Sequence, residues 1–527
     1  MIREIINFTK NLIEDIPDIL TWNAYPDKGL HAFIDIDQDG HWSNTDLKSD
    51  IDYVYYDGNN NDSPLLQNAY HYQDASGYIT MNKVKAFDSK QKIHSCSPFA
   101  IAFNFNDKVP GVKLTKKSTP EEKEKYYTKL HTMRFDVVKS RLADYKSNAL
   151  KMYGIGTKDN VILYIEGFFS AFIEIIKALQ TKNEYKSLKE KDYVHIYLRS
   201  VPLEEQERLH NYYISNNIYS GEVTKDNKMG SVDFLTTYNS KKIFLRHQTS
   251  FLMNGVSQRF SIEDAFNLLK FCKLIDHNVL PSPLPIVVDQ RELNKSIVKI
   301  FNEDEEHLSF RNIIKQLFEQ KNLKYLSDFY LVNMIKTKDG YQLNDCDFVS
   351  TFHYYLDNPI IIANLMESAH KEDKTIVLDD DKKIDTIFGF ESIAVRMMFD
   401  NRLVYINDDI YQTHYFDELS SKDTNDSIKG ILSLAKKYRS AIYDFIYKSK
   451  ANALNSRIID DIMLHSILFE IHGDEINGRC EWNQTIKRKL NLWFCLYDYF
   501  TDTPIENINI IKNLERRNNM KTTIKEH

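Results

Sequence analysis

Apolar positions recur along this chain at two periods, one helical and one alternating, and they divide it into elements before any chemistry is considered. Ile5, Ile6, Leu12, Ile13 and Ile16 sit at helical spacing and predict an amphipathic helix over residues 1–20. Pro26 and Gly29 break the chain, and residues 30–36 then alternate as a strand. Further strand-like pieces follow at 53–56, 77–84 and 99–105. Ser118-Thr119-Pro120-Glu121-Glu122 combines a capping hydroxyl, a proline and two acidic residues, and opens a predicted helix over 119–150. Residues 161–182 and 262–274 predict more helices, with strand signals near 194–198 and 243–251 between them. Pro281, Pro283 and Pro285 forbid a helix and predict an extended run. A helix at 308–320 and a hairpin across 337–340 come next. After Pro359 the segments 360–370, 386–400, 427–450, 453–471 and 483–500 each carry an apolar stripe. The expected fold class is therefore α+β. Region 1–280 should be a mixed α/β part with short antiparallel strands, region 281–358 a proline-marked junction with a hairpin, and region 359–527 an all-α helical bundle.

Composition narrows the class. The chain has 527 residues, 42% of them hydrophobic and 27% charged, the balance of a globular protein and not of a collagen-like or low-complexity one. Tyr and Phe are plentiful (32 and 30) and Gly and Pro scarce (16 and 12), which favours aromatic-rich cores over long linkers. The five cysteines are scattered and form no CxxC pair, which suggests reduced thiols. The most apolar long window, 161–179, is interrupted by Glu166, Glu174 and Lys177 and reads as a core-facing helix and not a membrane span. A cytoplasmic protein without a membrane partner is expected.

Charge is strongly segregated beneath a net −7. Residues 1–81 carry 4 Lys+Arg against 14 Asp+Glu, a balance of −10, whereas residues 82–158 carry 17 against 7, or +10. Local charge decides polyanion binding more than the total does, because screening cuts off distant charges. Lys108, Lys113, Lys116 and Lys117 fall in a Pro/Gly-containing loop, and Lys123, Arg134 and Arg141 continue down the next helix. Asn104 and Asn106 lie just ahead and offer amides to bases or backbone, while Tyr126 and Tyr127 offer rings for stacking. A self-neutralising exterior is the competing reading of the same residues.

Other motifs carry less. Asp35-Ile36-Asp37-Gln38-Asp39-Gly40, with Asp46 in twelfth position, matches the start of a calcium loop, but an Asp-Gly hairpin turn explains the same letters without flanking helices. Gly154-Ile155-Gly156 lacks the third glycine of a dinucleotide fingerprint and suits a helix cap. His465, His472 and Cys480 are too far apart to share a metal as helix neighbours, and His94-Ser95-Cys96 has adjacency without triad geometry. GxxxxGK[ST], HExxH and GxSxG do not occur. No catalytic residue, metal or cofactor is assigned.

The stretch Lys92-Ile93-His94-Ser95-Cys96-Ser97-Pro98-Phe99-Ala100-Ile101-Ala102-Phe103 resembles a segment of the large subunits of type I-B CRISPR Cascade complexes (the Cas-eight family, Csh-type). Chain length, acidic start, basic middle and helical end fit that outline. The resemblance implies a non-catalytic subunit of a crRNA-guided complex, with backbone subunits and small subunits as partners. It further implies binding of target double-stranded DNA, sensing of the protospacer-adjacent motif, stabilisation of the displaced single strand, and recruitment of a separate helicase-nuclease. The C-terminal region would then resemble a small subunit, with Lys487, Arg488 and Lys489 (and Arg479, Arg516 and Arg517) as backbone contacts and Trp493 and Tyr497 as stacking partners. Met366 or the Met397-Met398 pair would be internal starts for a separate small subunit. A metal-dependent nucleic-acid enzyme, acting through the Asp35–Asp46 loop or the His465–Cys480 neighbourhood, and a protein-binding scaffold remain the alternatives.

Overall fold

The computed structural model describes residues 2–42, 51–59, 63–79, 81–107, 109–110, 118–219, 229–230, 232, 259–303, 308–337, 340–372, 375–407, 410–419, 426–477 and 483–501. The chain is mixed α+β. It divides into two units: Ile16–Asn278, and Met1–Asp15 together with Val279–His527. The division falls between Asn278 and Val279, shortly before the prolines at 281–285. Region 281–358, however, is not a unit of its own, and residues 1–15 belong with the C-terminal part.

The Ile16–Asn278 unit is built on a four-stranded sheet of order β2-β1-β4-β3, where β1 is Gly29–Ile34, β2 Asp52–Tyr56, β3 Ala100–Asn104 and β4 Tyr193–Leu198. β1 runs parallel to β4, and the outer pairings are antiparallel. Both sheet faces are covered, so β1 is buried at every position. Leu30, Ala32, Ile34, Val194, Ile196, Leu198, Ile101 and Phe103 face two long helices, α4 (Pro120–Tyr153) and α5 (Ile162–Gln180), and form one core with them. Phe33, Ala100 and Tyr197 point the other way, against Ala69 of α2 (Pro64–Asp74). The calcium-like letters at 35–40 fold as the hairpin turn. Ile36 bridges Trp42, Asp37 N donates to His41 O at 2.8 Å, and Gly40 takes φ +82°. α5 runs close beneath this turn: a Cβ at Gly167 would meet Gly40 O at 2.3 Å. Residues 81–84, read as strand, are a helical turn, α3 (Met81–Val84). The expected strand at 243–251 and Asp46 lie outside the described residues.

In the other unit α1 (Ile2–Asp15) buries Ile5, Ile6, Phe8 and Leu12, and Arg291 clamps its end through Asp15 at 2.8 Å and Glu14 at 3.1 Å. β5 (Leu284–Val287), β6 (Leu326–Thr337) and β7 (Gly340–Phe352) form a sheet whose long hairpin turns between Thr337 and Gly340, as the sequence predicts. The expectation of an all-α region from 359 onward is overturned. β8 (Tyr355–Ile362) pairs with β11 (Lys382–Thr386), β9 (Ala369–Glu372) with β10 (Thr375–Leu378), and β12 (Val404–Asn407) with β13 (Ile410–Thr413). Short apolar runs such as Ile360-Ile361-Ile362 satisfy a helix stripe and a strand equally, and their β-branched side chains suit the strand. The expected helix at 386–400 does form, over residues 387–398, and from Asp426–Lys448 onward helices dominate, followed by Ser456–Asn477 and Asn483–Tyr499, which pack in sequence on one another. No helix among the described residues is long and apolar enough to cross a membrane.

Candidate nucleic-acid interface

α4 starts where the sequence places it. Thr119 Oγ1 accepts from Glu122 N at 3.3 Å, and Glu122 Oε2 accepts from Thr119 N at 2.9 Å, a reciprocal capping box with Pro120 in the first turn. The helix runs 34 residues to Gly154, whose φ of +68° closes it. Its inner face is fastened to the very stretch that carries the family resemblance. Tyr145 Oη donates to Ser97 O at 2.8 Å and lies 2.8 Å from Ser95 Oγ, while Tyr153 Oη donates to Cys96 O at 2.7 Å. Both tyrosines are buried, so their phenols hold the 95–100 backbone without competition from water. Burial pushes the Cys96 thiol well above its ordinary range, and His94 is spent on Tyr193 Oη at 2.9 Å and Gln91 O at 3.1 Å. His94-Ser95-Cys96 is packing, not a nucleophile.

Two of the expected phosphate contacts are internal ties. Arg134 is 2% exposed and donates to Asp107 Oδ2 at 2.7 Å, with Lys92 on the same carboxylate at 2.9 Å. Arg141 Nε donates at 2.9 Å to Asp88, whose carboxylate is fully buried. Burial alone would raise Asp88, but backbone N–H groups of Lys92, Lys90 and Ile93, with Arg141, hold it below the usual carboxylate range. The expected stacking rings are also occupied. Tyr126 is buried, and Tyr127 packs edge-on to it and leans on His131. Lys108, Lys113, Lys116 and Lys117 lie outside the described residues.

The outer face of α4 is different. Lys125, Lys129, Lys139 and Lys151 are exposed along it, Lys123 is exposed in the first turn on the opposite side, and none of these ammonium groups makes an ion pair among the described residues. The acidic segment 1–81 finds cations elsewhere: Asp35 and Asp52 hold Arg199, Asp74 holds Lys273, and Glu14 and Asp15 hold Arg291. The basic region evident in the sequence includes these lysines with Lys123; which of them share an exposed helix face is what the fold adds. Asn106 is exposed near the end of β3, and half-buried Asn104 accepts from Asn106 N at 3.2 Å.

At the C-terminal end the basic trio divides. Lys489 is fully buried between Asp400 at 2.7 Å and Glu470 at 2.9 Å, and Arg488 is bonded to Asp379 at 2.6 Å, so neither presents a free cation. Lys487 reaches Glu367 O at 3.3 Å from a half-buried position. Trp493 donates to Asp460 Oδ1 at 2.7 Å and packs on the core, whereas Tyr497 is exposed. Arg479, Cys480, Arg516 and Arg517 lie outside the described residues. His465 bonds its own helix at Asp461 O, and no group of three or more metal-ligating side chains occurs among the described residues.

One cluster escaped the sequence reading. Tyr193, His195 and Tyr197 alternate onto one face of β4, and His31 joins them from β1, its ring stacked on His195 at 4.8 Å. His31 Nε2 donates to Asp27 O at 2.8 Å and Nδ1 accepts from Tyr197 Oη at 3.0 Å, which fixes a neutral ring. Burial, helped by His195, pushes its pKa down to about 3. His195 lies 3.3 Å from the Asp27 carboxylate without hydrogen-bond alignment. Burial alone would raise Asp27, but His195 outweighs it. The period-two pattern Tyr-Val-His-Ile-Tyr was the available signal. No protein-family model matches the chain, and no curated protein matches it.

Proposed function

We propose that this chain is the non-catalytic large subunit of a crRNA-guided CRISPR interference complex of type I-B kind, acting in the cytoplasm. In this reading it grips target DNA, senses the protospacer-adjacent motif and steadies the opened strands for a separate helicase-nuclease. The observation that carries it is the stripe of exposed ammonium groups at Lys125, Lys129, Lys139 and Lys151 on the outer face of α4, which make no ion pair among the described residues. Such a row neutralises phosphates without reading bases, which is what a subunit needs when guide pairing supplies sequence discrimination. The resemblance of residues 92–103 supplies the complex, and α4 is bolted to those same residues through Tyr145 and Tyr153. A C-terminal run of helices from Asp426 onward is what a small-subunit-like region would need. Asp35 pairs with Arg199 and His465 bonds Asp461 O, which leaves the metal-dependent enzyme as the second reading.

Co-expression with the neighbouring backbone-subunit genes and a repeat array tests the assignment. A tag on this chain should retrieve backbone subunits and guide RNA together. Retrieval of this chain alone, with no RNA, contradicts it.

A further inference from the structure

A second site of a different character lies in the Ile16–Asn278 unit. A cleft of about 250 Å³ opens between the 21–25 segment and α2, lined by Thr21, Asn23, Ala24, Tyr25, Leu66, Gln67, Tyr70 and His71. Among the described residues no carboxylate, ammonium or guanidinium lines it, which makes it a poor fit for phosphate. What remains is two tyrosine rings, amides, an imidazole and hydroxyls. Gln67 and His71 stand one helical turn apart on α2, and neither side chain makes a hydrogen bond among the described residues. Tyr25 is backed by Tyr56, stacked at 5.7 Å with an 11° tilt, so its ring is held in place instead of swinging with solvent. The volume is below the roughly 300–1,000 Å³ of clefts for drug-sized ligands, room for one heterocycle.

We propose that this cleft binds a single unpaired nucleobase, stacked at Tyr25 and read along its edge by Gln67 and His71. Planar recognition by an amide and a ring is the chemistry that proteins use for splayed-out bases. The base comes either from a bound strand or from a free nucleoside. Only the first source rests on the nucleic-acid reading above.

The test uses a short single strand carrying 2-aminopurine, titrated into the full chain, and a separate titration with adenosine. Wild type should change the probe's fluorescence on binding. The pair Gln67→Ala and His71→Ala, on an exposed helix face and checked for unchanged melting, should weaken the strand about tenfold or abolish the fluorescence change, as should Tyr25→Ala. Variant-sensitive adenosine binding without strand binding also supports the cleft, with a free nucleoside as source. If the strand binds with unaltered fluorescence and unaltered affinity in the variants, the cleft proposal falls while the lysine face of α4 stands. If neither probe binds, the cleft proposal falls as well.

Discussion

At the scale of single residues, the strongest commitments in this protein are buried charges and rings whose partners are distant in sequence. Lys489 illustrates the problem. Read from the sequence it is one of three consecutive cations on a helix, Lys487-Arg488-Lys489, and looks like surface. In the fold it is the cation for Asp400 and Glu470, residues that no local pattern connects to it. Lys489→Met should cost about 2–4 kcal/mol, because a fully buried cation is lost and two half-buried carboxylates are left facing each other; denaturant unfolding measures it. The buried histidines set a pH dependence. Burial pushes His31 down to about 3 and His210 to about 4, against 6.5 in the unfolded chain. Between pH 6.5 and 3 the unfolded chain therefore binds protons that the folded one refuses, and stability from these rings falls as pH drops through that window. Denaturant midpoints followed from pH 7 to pH 4 should decline, and His31→Gln should flatten the decline. A midpoint insensitive to pH in wild type would contradict the neutral, hydrogen-bonded ring.

At the scale of elements, what the sequence discloses is what local physics decides. The capping letters Thr119-Pro120-x-Glu122 predicted the start of α4 within a residue, and Thr119→Ala should cost about 1 kcal/mol, read by thermal or denaturant unfolding. The Asp-Gly turn at 39–40 and the hairpin near 337–340 were legible for the same reason. Strands of three or four apolar residues were not, because Ile360–Ile362 fits either period and its pairing with Lys382–Ile384 is non-local. Nor was the reason that residues 92–103 keep their shape: that comes from Tyr145 and Tyr153, a helix away in sequence. Tyr145→Phe removes the hydroxyl shared by Ser95, Ser97 and Ala100 and should destabilise by about 1–3 kcal/mol. DNA affinity of the folded fraction should be unchanged, since the exposed face of α4 is untouched; a parallel loss of affinity would move the binding site onto the 92–103 stretch itself.

At the scale of the whole molecule, segregation of charge was visible in the sequence but its consequence was not. The acidic start and basic middle could have cancelled each other, yet Asp35, Asp52 and Asp74 turn to Arg199 and Lys273, while the outer lysines of α4 make no ion pair among the described residues. Part of the basic region is nonetheless internal, with Arg134 and Arg141 fixing the fold and not a ligand. The account therefore stands on the remaining cations. The most direct measurement is duplex-DNA affinity as a function of salt, for wild type and for Lys125→Gln, Lys129→Gln, Lys139→Gln and Lys151→Gln combined. Wild-type affinity should fall steeply and linearly on logarithmic axes, and the combined variant should bind more weakly with a slope shallower by up to about 0.9 per lysine removed. Equal affinity and equal slope in both proteins would contradict the account.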